Sequence, residues 1–437
     1  MGGARQATGE AMTSSEHYDV IVVGGRPAGS TLAARLGQAG LRVLVLERTA
    51  LPSRPAASAP AIYAKTMALL DEIGADEADY AAGTPPIRRW ITEYRDAFVI
   101  VNGVPDIFGR DYGYAIDRAR FDHALWRVAA RQPSVTVRAG RAVTDLLWAA
   151  GRVAGVVSRA ADGTTQTDTA DVVVGADGRF SLVARKVGAP EHHRRDDLPT
   201  TLYYAYWSGA RPYDAHGPAI HAYAGRPGLG YLLMDSADGS LAVVIEGQAA
   251  LLEPGPGQSA EAFYEAQLRA APNVWARLRG AARQTDVRGL KRVRNLYRQA
   301  GGPGWALVGD ALHQKDPLDG QGIFDAVFTA RALAEAITAW RRGGRTWEQA
   351  LADYEAAVRA ETLPMYRETL RRVRRDLYTP LPDWFIRTVG RWLLDDPEIK
   401  RRVGLLLVRG LSPDAFTPPP GVALRALLRG LRGRRPA

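Results

Sequence analysis

The chain has 437 residues, 46% of them apolar, enough for a full hydrophobic core spread over two or three structural units. It contains no cysteine, which excludes disulfides, zinc–thiolate sites, thiol relays and a cysteinyl link to a prosthetic group. The net charge of +10 comes mainly from arginines scattered among Asp and Glu, with no nucleic-acid motif, so nucleic acid is not an expected partner.

Residues 1–15 hold no apolar signal core and read as a disordered leader. No later apolar run reaches the roughly 20 residues of a membrane helix, and a cytoplasmic location is expected. The β-prone run Tyr18–Val23 leads into Gly24-Gly25-Arg26-Pro27-Ala28-Gly29, a helical stretch Ser30–Ala39 and a second strand Arg42–Leu46. This is a βαβ unit of dinucleotide-binding length. Gly24 can make the tight turn, Gly29 can let helix and strand pack closely, and the helix start around Ala28 can receive a pyrophosphate. Glu47 stands 18 residues beyond Gly29, placed to bind the hydroxyls of an adenosine ribose and to disfavour a 2′-phosphate. Arg26 occupies the position of the fingerprint's second glycine and either turns outward or caps a phosphate.

Further along, Asp171–Gly188 reads as a buried strand ending in Gly175-Ala176-Asp177-Gly178, followed by a helix with Ser181 and Arg185. The short runs Thr201–Ser208, Ala219–Ala224, Gly230–Met234 and Leu241–Glu246 suggest an antiparallel sheet. It is rich in aromatic side chains, and Tyr204, Tyr206, His221, Tyr223 and Tyr231 are its candidate wall for a flat substrate. Trp305–Val308 is a strand whose end, Gly309-Asp310, offers a carboxylate to ligand hydroxyls. Pro317 stiffens the next loop, and Gly320-Gln321-Gly322 exposes backbone N–H groups where the helix through Ile323–Ala326 begins. Such a helix start favours the negative charge of a reduced flavin. Helices follow over Ala330–Arg341, Thr346–Arg375 and Trp384–Leu394, interrupted at Pro380 and Pro382. In Gly421–Arg435, Leu424, Leu427, Leu428 and Leu431 are helically spaced among Arg425, Arg429, Arg432, Arg434 and Arg435. Docking on its own protein is expected for this helix rather than contact with anionic lipid.

The three glycine-containing modules occur in the order seen in flavin-dependent monooxygenases of the para-hydroxybenzoate hydroxylase fold family, which the chain resembles over most of residues 17–340. ADGRFSLVARKVGAPEHH, YYAYWSG, GWALVGDALHQKDP and LPMY resemble a group of actinobacterial FAD-dependent oxidoreductases. The resemblance implies an α/β fold: an FAD-binding Rossmann-like (GR2-type) domain from 16–83, 112–187 and 293–335, an antiparallel β-sheet substrate domain from 84–111 and 188–292, and a helical C-terminal region, 336–437. It implies non-covalent FAD, with Gly24 and Gly29 at the pyrophosphate, Glu47 beside Arg48 at the ribose, and Val143 reaching adenine through its backbone. Arg118 would contact the flavin side, Asp177 and Gly178 would serve FAD and nicotinamide, and Gly309 and Asp310 would serve the ribityl chain. Pro317, Gly320, Gln321, Gly322 and Ile323 would lie beside the isoalloxazine. Asp316 replaces a proline common in the family. His313 and Lys315 read as a loop histidine and a solvated lysine; no catalytic base and no metal site are identified.

The activity so implied is monooxygenation of an aromatic or polycyclic small molecule through a flavin C4a-hydroperoxide, possible in specialised metabolism such as antibiotic biosynthesis. Dioxygen and a transient NADH or NADPH are the co-substrates. A reductase of the geranylgeranyl reductase-like branch and a non-catalytic flavin-binding protein are the alternatives. A halogenase is less expected, since its Trp-containing signature is not visible. Monomer and homodimer both remain open.

Overall fold

The computed structural model describes residues 16–55, 59–95 and 97–432, so the expected leader lies outside the described residues. Parallel strands run in the order Trp305–Leu307, Thr165–Gly175, His17–Val23, Val43–Glu47 and Val135–Ala139. Val20–Val22, Val43–Val45 and Val173–Val174 are all at 0% exposure. That is why these strands read as unbroken apolar runs: a parallel sheet is covered on both faces. The helix Pro27–Gln38 begins three residues earlier than the sequence reading, because the fixed φ of Pro27 suits a first helical position. It packs against Gly322–Arg341 and Arg118–Ala130. A hairpin, Arg141–Ala149 with Arg152–Ala160, extends from the N-terminal half of Thr165–Gly175.

A second sheet runs Ala282–Arg283, Thr200–Ser208, Ser240–Gln248, Leu229–Asp235, Ile220–Arg226, Arg89–Tyr94 and Phe98–Gly103. It is antiparallel except where Ile220–Arg226 lies parallel to Arg89–Tyr94. Its two faces build different cores, as strand alternation requires. Tyr203, Trp207, Tyr223, Tyr231, Leu233 and Ile245 pack under the helices Ala260–Arg269 and Pro272–Leu278. Leu202, Tyr204, Tyr206, Met234 and Ala242 pack towards Ala61, Trp90 and Ala115.

The C-terminal helices tie the sheets together. In Trp347–Arg372, Tyr354 donates its hydroxyl to Leu307 O (2.7 Å) in the parallel sheet. The wide turn that follows reaches the second sheet: Gln248 Nε2 donates to Leu377 O, and Tyr378 Oη to Pro199 O, both at 2.6 Å. The last helix, Pro420–Arg432, docks through Val422 and Ala426, with Gly430 lying against the Trp392 ring. Its leucines do not form the docked side: Leu424, Leu428 and Leu431 are 57%, 42% and 56% exposed.

Candidate active site

The three glycine-bearing loops follow three adjacent strands and meet at their C-terminal ends, where open α/β sheets bind ligands. Gly24 has φ +104°, and a Cβ there would stand 2.5 Å from Ala176 O, so only glycine lets the first loop touch the second. At Gly29 a Cβ would fall 1.8 Å from Gly24 O, which closes the turn onto the helix start. Gly309 reaches the same place, its would-be Cβ 3.2 Å from Ala28 Cβ.

Glu47 is buried at the end of its strand. Its Oε2 accepts from Gly25 N–H (2.9 Å), and its Oε1 accepts from the Thr49 N–H (3.1 Å) and hydroxyl (2.7 Å). Arg48 beside it is exposed. Arg26 turns to a polar cluster: its Nη1 donates to Asp122 Oδ2 (2.7 Å) and Ser53 O (3.0 Å), and its Nη2 to Ser53 Oγ (3.0 Å). Asp122 is shared with the buried Arg118, whose Nε donates at 2.9 Å. Asp117 caps that helix through the Ala119 and Arg120 N–H groups and pairs with Arg54 at 2.5 Å. Arg26 and Arg118 thus share Asp122, Arg54 pairs with Asp117, and Arg26 reaches Glu47 through the Thr49 hydroxyl.

In the second loop, Asp177 Oδ2 accepts from the Leu182 (2.6 Å) and Val183 (3.3 Å) N–H groups. Its buried Oδ1 has no hydrogen-bond partner among the described residues, and burial raises its pKa. Gly178 follows it at φ +77°. In the third loop, the half-buried Asp310 pairs with Arg179 Nε at 3.1 Å. Arg179 directly follows Asp177-Gly178, and its proximity to the Gly309-Asp310 loop was not evident from sequence. Pro317–Asp319 forms one turn capped by Asp316, and Gly320 follows at φ +64°. Gly322 is exposed at the start of the Gly322–Arg341 helix, with nothing within 4 Å of where a Cβ would be, while Gln321 and Ile323 beside it are buried. A glycine turn onto a helix start, an orphaned buried carboxylate oxygen and a second, open helix start fit a dinucleotide whose far end is an electron-accepting ring. Val143 lies half-buried in the hairpin, paired with Ser158.

Two expectations about side chains near this loop are corrected. His313 and Lys315 are 2% and 5% exposed, not loop and solvated residues, because a short strand, His313–Gln314, threads them beneath the C-terminal helices. Lys315 Nζ lies 2.9 Å from Asp325 Oδ2, and Arg409 Nη2 lies 2.6 Å from Asp325 Oδ1. Arg409 Nε also donates to the Gln321 side chain, which in turn donates to Leu407 O at 2.9 Å. Burial pushes the His313 imidazole down to about 4, and it stacks on Tyr297 at 4.8 Å. Burial likewise lowers the Lys315 ammonium.

The second correction concerns the substrate wall. His221, Tyr223 and Tyr231 lie on the far side of the second sheet: His221 is held by Glu93 at 2.8 Å, and the two tyrosines pack under the Ala260–Leu278 helices. Alternation along the strand, which sequence shows, needs the covering helices before inside can be told from outside. The signal for them was present, an N-capping Ser259 followed by Phe263, Tyr264 and Leu268 at helical spacing. Tyr204 and Tyr206 lie on the opposite face, towards Ala61 and Ala115. They line a cavity of about 420 Å³ together with Arg54, Arg118, Thr285 and Arg288. Arg54 lies over the Tyr206 ring at 5.3 Å, and burial raises the Tyr206 pKa, keeping its phenol protonated.

The same face carries Glu246, a residue the sequence reading did not single out. It is 9% exposed and lies against the fully buried Asp316. Asp316 accepts from the Thr200 hydroxyl, and its N–H donates to Asn295 Oδ1 at 2.7 Å. Burial and the Asp316 charge raise the Glu246 pKa well above the usual carboxyl range.

A family model described as "FAD binding domain" matches residues 17–367. The chain is 29% identical to digeranylgeranylglycerophospholipid reductase 2 of Methanothermobacter thermautotrophicus, covering 77% of this chain and 82% of that protein. It is 30% identical to 6-methylpretetramide 4-monooxygenase of Streptomyces rimosus, covering 74% of this chain and 76% of that one. Its fold matches the flavin-dependent brominase Bmp2 with a TM-score of 0.75 at 18% identity, over 96% of this chain and all of the other.

Proposed function

The chain belongs to the FAD binding domain family of flavin-dependent oxidoreductases, and from that premise we propose that it is an NAD(P)H-dependent monooxygenase of an aromatic or polycyclic small molecule. FAD, once bound, supplies the two-electron chemistry and the activation of dioxygen. The chain's own groups bind and orient. Gly24, Ala28 and Gly29 would receive the diphosphate. Glu47 would meet the adenosine ribose, Val143 the adenine, Asp177 and Asp310 the hydroxyl-bearing linker. The N–H groups of Gly320–Ile323 would hold charge on the ring.

The observation that carries the reading is the lining of the 420 Å³ cavity. It lies within the size range of pockets for drug-sized ligands, roughly 300–1,000 Å³. Tyrosines and arginines suit a flat ring with polar or anionic substituents, and suit a long prenyl chain poorly. The second reading, hydride transfer to a carbon–carbon double bond, is favoured by the similarity to the digeranylgeranylglycerophospholipid reductase.

The two readings separate in one experiment. The purified flavoprotein is reduced with NADH or NADPH, mixed with ¹⁸O-labelled dioxygen and a panel of hydroxylated polycyclic acids, and the products are weighed. Label in the product is expected. Reduced flavin indifferent to oxygen, together with reduction of an alkene, would overturn the monooxygenase; absence of flavin from the protein would overturn both.

A further inference from the structure

We infer that the C-terminal helix is a surface anchor: the face formed by Leu424, Leu428 and Leu431, flanked by Arg425 and Arg432, rests on an anionic lipid bilayer. At about 100° per residue, the docked positions Val422 and Ala426 lie on one side of the Pro420–Arg432 helix and the three leucines lie opposite, turned to solvent. The arginines follow the leucines along one flank. Arg429 is engaged by Asp396 at 3.3 Å, whereas Arg425 and Arg432 have no acidic partner among the described residues. An apolar stripe directly exposed to water with an uncompensated basic edge is the pattern of an in-plane interfacial helix.

A second feature points the same way. The terminal helix packs on the 386–394 segment, which begins two residues after Trp384, 66% exposed, and five after Leu381, 44% exposed. An exposed indole, with its apolar body and single N–H, suits the boundary between headgroups and acyl chains. A second copy of the chain fits this face less well. A two-fold contact through one leucine stripe would set Arg425 and Arg432 near their own copies, and like charges so placed oppose docking. Thirteen residues reach only about 20 Å, so the helix lies in the surface and does not cross it.

The test is cosedimentation of the full flavin-loaded chain with vesicles of equimolar phosphatidylglycerol and phosphatidylcholine, or of phosphatidylcholine alone. Wild type should bind the anionic vesicles about tenfold or more better, and high salt should release it. Leu424→Ser with Leu428→Ser and Leu431→Ser should abolish binding, as should Arg425→Glu with Arg432→Glu, with flavin content unchanged in each. All five side chains are at the surface, and the two variants guard against misfolding of either. Equal binding to both vesicles, or binding that survives both variants, overturns the proposal. So does a wild-type dimer that the leucine variant converts to monomer while neither form binds vesicles, which would assign the face to a second copy.

Discussion

Asp325 is one carboxylate set against two cations, Lys315 at 2.9 Å and Arg409 at 2.6 Å, with all three side chains nearly inaccessible to water. Removing the carboxylate would leave buried Lys315 without its ion-pair partner and Arg409 with only Glu361 at 3.9 Å. Asp325→Asn should therefore cost about 3–5 kcal/mol of unfolding free energy, read from urea denaturation. His313 adds a pH dependence whose sign is fixed by its depressed value. The folded protein keeps it neutral down to about 4, whereas the unfolded chain protonates it near 6.5. Its stabilising contribution is complete above pH 6.5 and is lost as pH falls towards 4; between 6.5 and 5 it accounts for about 2 kcal/mol. His313→Phe retains the stack on Tyr297 and should flatten that part of the stability profile. None of this network was legible in the sequence. His313 and Lys315 sit in a segment with no periodic pattern, and Arg409 is 84 residues beyond Asp325, so only the fold makes them neighbours.

At the scale of elements, the glycine-flanked parallel strands and the central strands of the second sheet were readable, whereas Val135–Ala139, Arg89–Tyr94, Phe98–Gly103 and the faces of the second sheet were not. Buried parallel strands announce themselves as unbroken Val, Ile and Leu runs, and the glycine turns follow them directly. In the second sheet, tyrosines fall on both faces, Tyr204 and Tyr206 towards the cavity and Tyr223 and Tyr231 towards the Ala260–Leu278 helices. This separation has a kinetic consequence. Tyr231→Phe removes only the bond from its hydroxyl to Gln267 O (3.0 Å), so it should cost about 1 kcal/mol of stability and leave KM unchanged. Tyr206→Phe removes a protonated phenol from the cavity lining and should raise KM severalfold, with flavin absorbance intact. Equal KM values in the two variants would remove Tyr206 from the substrate wall. Glu246 escaped notice for a related reason: a carboxyl at a strand end looks solvated until the Asp316 loop is folded over it.

Across the whole molecule, the C-terminal region does two separable jobs. Its inner part fastens the two sheets, through Tyr354 to Leu307 on one side and through Leu377 and Tyr378 to Gln248 and Pro199 on the other. It also delivers Arg409 and Leu407 to Gln321, one residue before the open helix start. The final helix touches none of these groups; it rests on the 386–394 segment through Val422 and Ala426, and reaches Asp396 through Arg429 at 3.3 Å. Chains ended at two points should therefore fail differently. Ending at Pro418 removes only the final helix, and should leave flavin content and the thermal midpoint close to those of the whole chain while vesicle binding disappears. Ending at Thr379 also removes Leu407 and Arg409, which leaves Gln321 without two partners and Asp325 with Lys315 and His313 only. That chain should release flavin on gel filtration and unfold at a lower urea concentration. If both truncations retained flavin equally, Arg409 would be no more than a structural strut, and the helix start would be organised by the Gly320–Gly322 backbone without help from the C-terminal region.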